Sequence, residues 1–94
     1  MSGVVYILQS LTDKRTYVGS TNNLNRRLKQ HNSGQVRSTQ HRIPFKILFT
    51  EEFTSLSEAR KREIWWKSGV GRRKLRDYFK QFQSKKLHKL ITND

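Results

Sequence analysis

The stretch that decides the fold is Thr16–His31, which reads TYVGSTNNLNRRLKQH. Its first half is predicted to be a short strand, because Tyr17 and Val18 suit a pleated, half-buried surface. Gly19 interrupts that strand, and the polar residues 20–23 form a turn that offers several N-cap candidates for a helix. The stretch therefore predicts a strand, a turn and a helix in quick succession.

The helix that follows the turn has one recognisable face. Leu24, Leu28 and His31 recur at positions i, i+4 and i+7, which is the spacing of one side of an α-helix. Arg27 lies beside that face. The helix is predicted to end before Gly34, a residue suited to the left-handed position that closes many helices.

Spacing brings three chemical groups of this stretch together. Tyr17 of the strand is followed ten residues later by Arg27 of the helix, and the turn between them can fold both side chains toward one cleft. His31 is one helical step from Arg27, whereas Arg26 and Lys29 are expected to point away. A phenol, a guanidinium and an imidazole in one place suit the handling of a phosphate group.

The length and net charge of the chain limit its possible fold and binding partners. Its 94 residues make one domain with a modest core. The net charge of +13, from 20 Lys and Arg against 7 Asp and Glu, predicts a polyanionic partner, with nucleic acid first and an anionic membrane surface second. No apolar run approaches the roughly 20 residues of a membrane span, so no membrane insertion is expected. With no cysteine, the chain fits a cytoplasmic location.

Two further strands are predicted around this stretch. Residues 3–8 are apolar and should pair with the strand around Tyr17 as an antiparallel hairpin. Residues 45–53 form a third strand, in which Ile47 and Phe49 are expected to share one face by alternation. We expect an α/β fold of the α+β type, with a small three-stranded, mixed or antiparallel sheet flanked by helices.

Two more helices are predicted after the third strand. Ser55 and Glu58 have the spacing of a capping box, so a helix should start there and run to about Ser68. A further helix is expected to begin near Arg72. The last residues, 83–94, form a basic tail for which at most a short helix is predicted.

Short motifs of this chain resemble those of the GIY-YIG nuclease domain. Val4-Val5-Tyr6 stands where that family has Gly-Ile-Tyr, Tyr17-Val18-Gly19 stands for Tyr-Ile-Gly, and residues 23–28 resemble its Asn-Leu-x-x-Arg-Leu helix start. The resemblance covers roughly residues 3–80, and it assigns residues 1–82 to a GIY-YIG nuclease-like domain. The chain is similar to the small stand-alone members of the family, which also resemble the N-terminal nuclease domain of the bacterial nucleotide-excision-repair endonuclease.

Three departures from the family pattern are visible. Val4 occupies the place of the first glycine, although Gly3 is adjacent, and Ser20 occupies the place of a frequent lysine. An asparagine that some members carry late in the domain has no clear counterpart. These departures bear on whether the activity is retained and how fast it is.

The resemblance implies a divalent-metal-dependent endonuclease, linked to DNA repair or recombination. Its catalytic residues would be Tyr6, Tyr17, Arg27, His31 and Glu63, with Mg²⁺ or Mn²⁺ bound by Glu63. A water would attack phosphorus, and Tyr17 would take its proton directly or through His31. Arg27 would neutralise the charge that grows on the phosphate oxygens, while Tyr6 would orient the site.

The position of Glu63 in the sequence also makes it a candidate site residue, independently of the resemblance. It is the one acid that interrupts the apolar stripe of the second predicted helix, where a carboxylate is costly unless it is paired or binds a metal. An intrahelical ion pair with Arg60 or Lys67, at i−3 and i+4, is the alternative. A single carboxylate suits Mg²⁺, which keeps several of its waters.

Purely structural roles are the alternative for the other candidate site residues. The two tyrosines can be core aromatics, Arg27 one more surface cation, and His31 a helix-end histidine that stabilises the helix dipole. The alternative function is a catalytically inactive, basic nucleic-acid-binding module of the same fold. DNA is the expected partner with RNA left open, a protein partner is allowed for specificity, and a monomer is the default. Candidate nucleic-acid-binding residues are Lys14, Arg15, Arg37, Arg42, Lys67, Arg72 and Arg73.

Overall fold

The computed structural model describes the backbone of residues 2–92 and the side chains of residues 2–80. Three strands form one antiparallel sheet in the order β2-β1-β3: β1 (Gly3–Ser10), β2 (Thr16–Thr21) and β3 (Phe45–Phe53). The helices are α1 (Leu24–Asn32), α2 (Leu56–Lys67) and α3 (Gly69–Thr92), and a 3₁₀ turn spans Gln40–Arg42. The predicted α+β class is confirmed, and the sheet is antiparallel throughout.

Helix α1 is fixed at both ends by the residues that the sequence offers for this purpose. Asn23 is the N-cap, and its side chain accepts a hydrogen bond of 3.0 Å from the backbone N–H of Arg26. Gly34, just after the helix, has a φ of +80°, which confirms the left-handed residue predicted there. These caps set the ends of the helix that carries Arg27 and His31.

One face of the sheet carries the aromatic residues of the two tripeptides. Tyr6 is the cross-strand neighbour of Gly19, and Leu8 is the neighbour of Tyr17, so all four lie on the same face. A side chain at Gly19 would collide with the ring and hydroxyl of Tyr6. Gly19 therefore leaves the space in which the Tyr6 phenol lies. The core on this face is formed by Tyr6, Leu8 and Phe45, with Tyr17, Leu24, Leu28 and Ile43 packed against it.

The opposite face of β1 carries the start of α2. Val5 and Ile7 are buried there, and Ala59 of α2 is completely buried. A Cβ atom built on Gly3 would lie 2.6 Å from the Cα of Leu56, so only glycine permits this approach of helix to strand. The glycine next to the first tripeptide therefore has a packing role of its own, one residue before the position at which Val4 replaces the family glycine.

The alternation predicted for β3 was wrong. Ile7 pairs with Phe49, but its neighbour Leu8 pairs with Ile47, so Leu48 is an extra residue at a register shift. Such a bulge reverses the alternation of side chains along the strand. Ile47 and Phe49 consequently lie on opposite faces, and Ile47 is 39% exposed.

The chain divides into two compact units, residues 1–64 and 65–94. In the second unit α3 begins at Gly69, three residues before the start predicted at Arg72, and Gly71 lies inside the helix. A side chain at Gly71 would collide with the backbone of Trp65 and Trp66. This glycine marks a close approach of two backbone segments, whereas the sequence suggested a helix end.

None of the helices in the described part of the chain is long and apolar enough to cross a membrane. In the basic tail predicted for residues 83–94 with at most a short helix, the backbone of α3 continues as far as Thr92, while the side chains fall outside the described residues. The domain boundary placed after residue 82 therefore stays a prediction.

Candidate active site

A buried hydrogen-bonded chain joins β1, α1 and the connector after α1. The Tyr6 hydroxyl lies 3.0 Å from Nε2 of His31, and Nδ1 of His31 lies 2.9 Å from the Thr39 hydroxyl oxygen. The Thr39 hydroxyl donates to the carbonyl of Val36 at 3.4 Å, so its oxygen is left to accept from Nδ1–H. His31 is therefore assigned as the tautomer whose Nε2 accepts a hydrogen bond from Tyr6.

His31 is neutral at physiological pH. Its side chain is completely buried, and this burial, together with the positive charge of Arg27, lowers its pKa from 6.5 to about 4. A neutral imidazole can accept the Tyr6 proton, whereas an imidazolium cannot. Because His31 has no solvent exposure, its ring nitrogens contact Tyr6 and Thr39 and do not face bulk water.

The two tyrosines differ in their access to solvent. Tyr6 is only 2% exposed, and burial raises its pKa, although the nearby Arg27 guanidinium opposes that rise. Tyr17 is half-buried, with its ring centroid 6.3 Å from that of Tyr6 and 4.9 Å from that of His31. Tyr17 is thus the phenol that a water and a substrate can reach.

Arg27 lies against both phenols. The Tyr6 hydroxyl raises the pKa of Arg27, and Tyr17 adds to the effect. Its guanidinium also donates to the side-chain oxygen of Gln30 at 3.1 Å. Arg27 is half-buried, whereas Arg26 is exposed. The structure therefore brings Tyr17, Arg27 and His31 together, as the spacing in the sequence predicts, and adds Tyr6, which only the resemblance assigned to the site.

Glu63 is held by a residue that sequence reasoning did not select. The hydroxyl of Ser20, at the end of β2, donates a hydrogen bond to Oε1 of Glu63. Ser20 pairs with Val5, which places it on the face of the sheet that α2 covers. The Glu63 charge contributes to the raised pKa of Tyr6, so the carboxylate lies within electrostatic reach of the tyrosine cluster.

The chemistry of these donors fits a hard divalent cation. No three His, Asp or Glu side chains among the described residues lie close enough together to share a metal ion. One carboxylate, with the Ser20 hydroxyl beside it, suits Mg²⁺ or Mn²⁺, which retain several waters when protein ligands are few. Glu63 is therefore the candidate ligand, in a site for one metal ion.

A polar cleft of about 370 Å³ opens beside this site, at the end of β2. Arg27 lines the cleft. Arg26 lines it too, although the sequence predicted that its side chain points away from the site. Neighbouring helix positions are about 100° apart, but the cleft is wide enough to take both. Arg60 of α2 also lines the cleft. The lining residues are Ser20, Thr21, Asn22, Arg26, Arg27, Gln30, Leu56 and Arg60.

The spacing in the sequence predicts Arg60 as an ion-pair partner of Glu63 and gives no sign that it lines the site. Within the described part of the chain, Arg60 forms no ion pair with a carboxylate. Its position one helical turn before Glu63 is the signal that places both residues on one side of α2.

Arg42, a candidate for nucleic-acid binding, is engaged within the fold. Its guanidinium forms an ion pair of 2.8 Å with Asp13, donates to the carbonyl of Thr16 at 3.2 Å, and lies 5.5 Å from the ring centroid of Phe45. These contacts tie the β1–β2 loop to the start of β3, and they leave fewer donors for a ligand.

The other basic candidates are exposed. Lys14 and Arg15 lie in the β1–β2 loop, and Arg37 lies in the connector after α1. In the second unit the exposed candidates are Lys67, Arg72 and Arg73. Their role in binding nucleic acid stays a prediction.

Comparison with known proteins shows which protein family this chain is similar to. Residues 2–78 match the GIY-YIG catalytic domain. A UPF0213 protein of Streptococcus agalactiae serotype V is 36% identical over 81 residues, which cover 85% of this chain and 90% of that protein. A UPF0213 protein of Clostridium perfringens is 40% identical over 72 residues, 76% of each chain. The solution NMR structure of the UPF0213 protein BH0048 from Bacillus halodurans is 34% identical, with a TM-score of 0.50 over 83% of this chain and 85% of that one.

Proposed function

Because this chain belongs to the GIY-YIG catalytic domain family, whose members are generally nucleases, we propose that it is a divalent-metal-dependent endonuclease that hydrolyses phosphodiester bonds in DNA. One observation carries the proposal: the Arg27 guanidinium lies against the hydroxyls of Tyr6 and Tyr17, within electrostatic reach of Glu63. This is a cation, a pair of phenols and a carboxylate around one position, a set of groups that can supply the base, the charge stabilisation and the metal ligand for phosphodiester hydrolysis.

Tyr17 is the proposed general base. A water attacks phosphorus in line with the leaving 3′ oxygen, and the half-buried Tyr17, acting as its phenolate, takes the proton of that water and becomes the neutral phenol. Tyr6 is buried and hydrogen-bonded to His31, which suits a residue that orients the site. His31 lies near Tyr17 but has its hydrogen bonds to Tyr6 and Thr39, which favours direct transfer to Tyr17 over transfer through His31.

Arg27 supplies positive charge to two parts of the reaction. The guanidinium stabilises the non-bridging oxygens as negative charge grows on phosphorus. It also opposes the rise that burial causes in the pKa of the Tyr6 hydroxyl, since a nearby positive charge stabilises the ionised phenol. The hydrogen bond from Arg27 to Gln30 holds the side chain in place for both purposes.

Glu63 is the proposed metal ligand, and Ser20 orients its carboxylate. The metal, Mg²⁺ or Mn²⁺, would supply a Lewis acid that stabilises negative charge on the leaving 3′ oxygen.

The wider setting of the activity follows from the resemblance to the repair endonuclease. We extend the proposal to a DNA substrate recognised by its structure, a role in DNA repair or recombination, and a cytoplasmic location. No base-reading motif is evident in the sequence, so a protein partner is the proposed source of any further specificity. The net charge of +13 supports binding to the phosphate backbone.

A cleavage assay on a panel of DNA structures tests the proposal. Duplex, nicked, branched and single-stranded DNA, with an RNA counterpart, are incubated with Mg²⁺, with Mn²⁺ and with EDTA. We expect cleavage of DNA in either metal and none in EDTA. A folded protein that binds these substrates but cuts none of them in either metal would overturn the proposal, in favour of an inactive binding module.

A further inference from the structure

The cleft at the end of β2 has three arginines on its walls and no carboxylate in its lining. Within the described part of the chain, Arg26, Arg27 and Arg60 form no ion pair with an acidic side chain. Three like charges around one cleft repel one another, and an anion between them relieves that repulsion. The volume of about 370 Å³ lies within the range of small-ligand pockets.

The donors of the cleft suit a phosphate group. A guanidinium presents its N–H groups in a planar fork that matches two phosphate oxygens. Arg26 donates to the side-chain oxygen of Asn22 at 3.2 Å, and Arg27 donates to Gln30 at 3.1 Å, so each is oriented by a neutral partner and keeps further donors free. The absence of an acid in the lining disfavours a cation as the ligand.

The cleft shares residues with both halves of the candidate active site. Arg27 lies on its wall and also against the phenols of Tyr6 and Tyr17. Ser20 lies on its wall and also donates to Glu63. An anion bound in the cleft is therefore a close neighbour of the phosphate that would be cleaved.

We propose that this cleft binds the phosphate next to the scissile phosphate on a polynucleotide strand, with Arg60 and Arg26 as its cationic donors. This inference rests on the proposed nuclease function for the identity of the neighbouring group. It follows that a good substrate carries at least two successive phosphates, and that Arg60 contributes to substrate binding while Arg27 serves the reaction itself.

Binding in EDTA tests the cleft without cleavage. The Arg60→Gln variant is compared with the native protein on one oligonucleotide duplex over a range of salt concentrations. We expect its affinity to fall about 10-fold, and the log–log salt slope to become shallower by about 0.9, as for one lost phosphate contact. Lys29→Gln is the matched control, because Lys29 is exposed on α1 and lies outside the cleft lining. An Arg60→Gln slope equal to the native one would overturn the inference.

Cleavage of two substrates separates a neighbouring phosphate from the scissile one. Bis(p-nitrophenyl) phosphate has a single phosphate, so it has nothing to place in the cleft. We expect Arg60→Gln to raise KM for the oligonucleotide about 10-fold, and to leave the rate on bis(p-nitrophenyl) phosphate within about twofold of the native rate. Equal losses on both substrates would place Arg60 at the scissile phosphate and overturn the inference. Should the native protein cut neither substrate, the proposed function fails, and the salt slopes in EDTA still decide what the cleft binds.

Discussion

The Tyr6 hydroxyl lies 3.0 Å from Nε2 of His31, a contact between residues 25 positions apart that joins strand β1 to helix α1. On its other side the imidazole lies 2.9 Å from the hydroxyl of Thr39. All three side chains are almost completely buried, so their hydrogen bonds are shielded from competition with water. The buried wall of the candidate site is thereby held in place before any substrate binds.

The low pKa of His31 predicts a loss of stability in mild acid. Its pKa is 6.5 when unperturbed and about 4 in the fold, so between these values the unfolded chain binds more protons. The contribution is fully present above about pH 6.5 and is lost as the pH falls to about 4, by at most about 3 kcal/mol. Denaturant unfolding from pH 7.5 to 4.5 measures it.

Two variants isolate the contribution of this histidine. His31→Gln removes the titrating group and should flatten the pH dependence, whereas His41→Gln, at an exposed histidine, should keep it. An NMR titration of the His31 ring in the native protein gives its pKa directly. An imidazole that protonates near pH 6.5 in the folded protein would contradict the prediction.

Arg27→Ala should lower kcat and leave DNA binding almost unchanged. It removes one of 20 Lys and Arg, but the one that lies against the two phenols. Loss of one charge partner in a transition state costs about 10²–10³ in rate, by analogy with oxyanion donors. Single-turnover cleavage and equilibrium binding in EDTA are measured on the same preparation. Lys29→Ala, on the same helix and exposed, is the control, and equal rate losses in the two variants would show that Arg27 acts only as surface charge.

Glu63→Gln should abolish metal-dependent cleavage and leave the metal-free fold intact. The amide oxygen can still accept from the Ser20 hydroxyl, while a charge that is costly to bury is removed. Thermal unfolding in EDTA should therefore give the same Tm or a slightly higher one. If Glu63 were a structural ion-pair partner, the Tm would fall and some cleavage would survive, and an exposed pair of this kind contributes only about 0.3–0.5 kcal/mol.

Ser20→Ala should weaken activation by metal. Without the hydroxyl, the Glu63 carboxylate loses the hydrogen bond that orients it. Outer partners of metal ligands typically account for about 10–100-fold in metal affinity, so the Mg²⁺ concentration that gives half-maximal cleavage should rise by about 10-fold or more. Ser57→Ala, at an exposed serine of α2, is the control. An unchanged Mg²⁺ dependence would show that Ser20 does not support the metal ligand.

Gly19→Ala should destabilise the protein, because the new methyl group would collide with the ring and hydroxyl of Tyr6. Overpacking of this kind costs about 1–3 kcal/mol, and the displaced phenol should also weaken the hydrogen bond to His31. Chemical denaturation measures the change. Gly69→Ala is the control, since a Cβ atom there has no neighbour within 4 Å. Equal stability in both variants would refute the close packing of Gly19 on Tyr6.

Local signals in the sequence were enough to place most elements of the fold. The third strand was predicted at residues 45–53, where it lies, and the second helix starts at Leu56 as its capping box indicates. The spacing from Tyr17 to Arg27, across a turn, also predicted that these two side chains meet. Such features depend on residues a few positions apart, so hydrophobic period and turn chemistry are sufficient to predict them.

Only the tertiary structure decided how distant segments meet. The bulge at Leu48, the hydrogen bond from Ser20 to Glu63 and the place of Arg60 in the cleft each depend on contacts between separate elements. A register shift of one residue moves the following side chains of a strand to the opposite face of the sheet. The Ser20 hydroxyl can bond to Glu63 only after helix and sheet have packed together. Hydrophobic period and residue spacing carry no information about the register shift or the hydrogen bond, because these two features result from the packing of the whole chain.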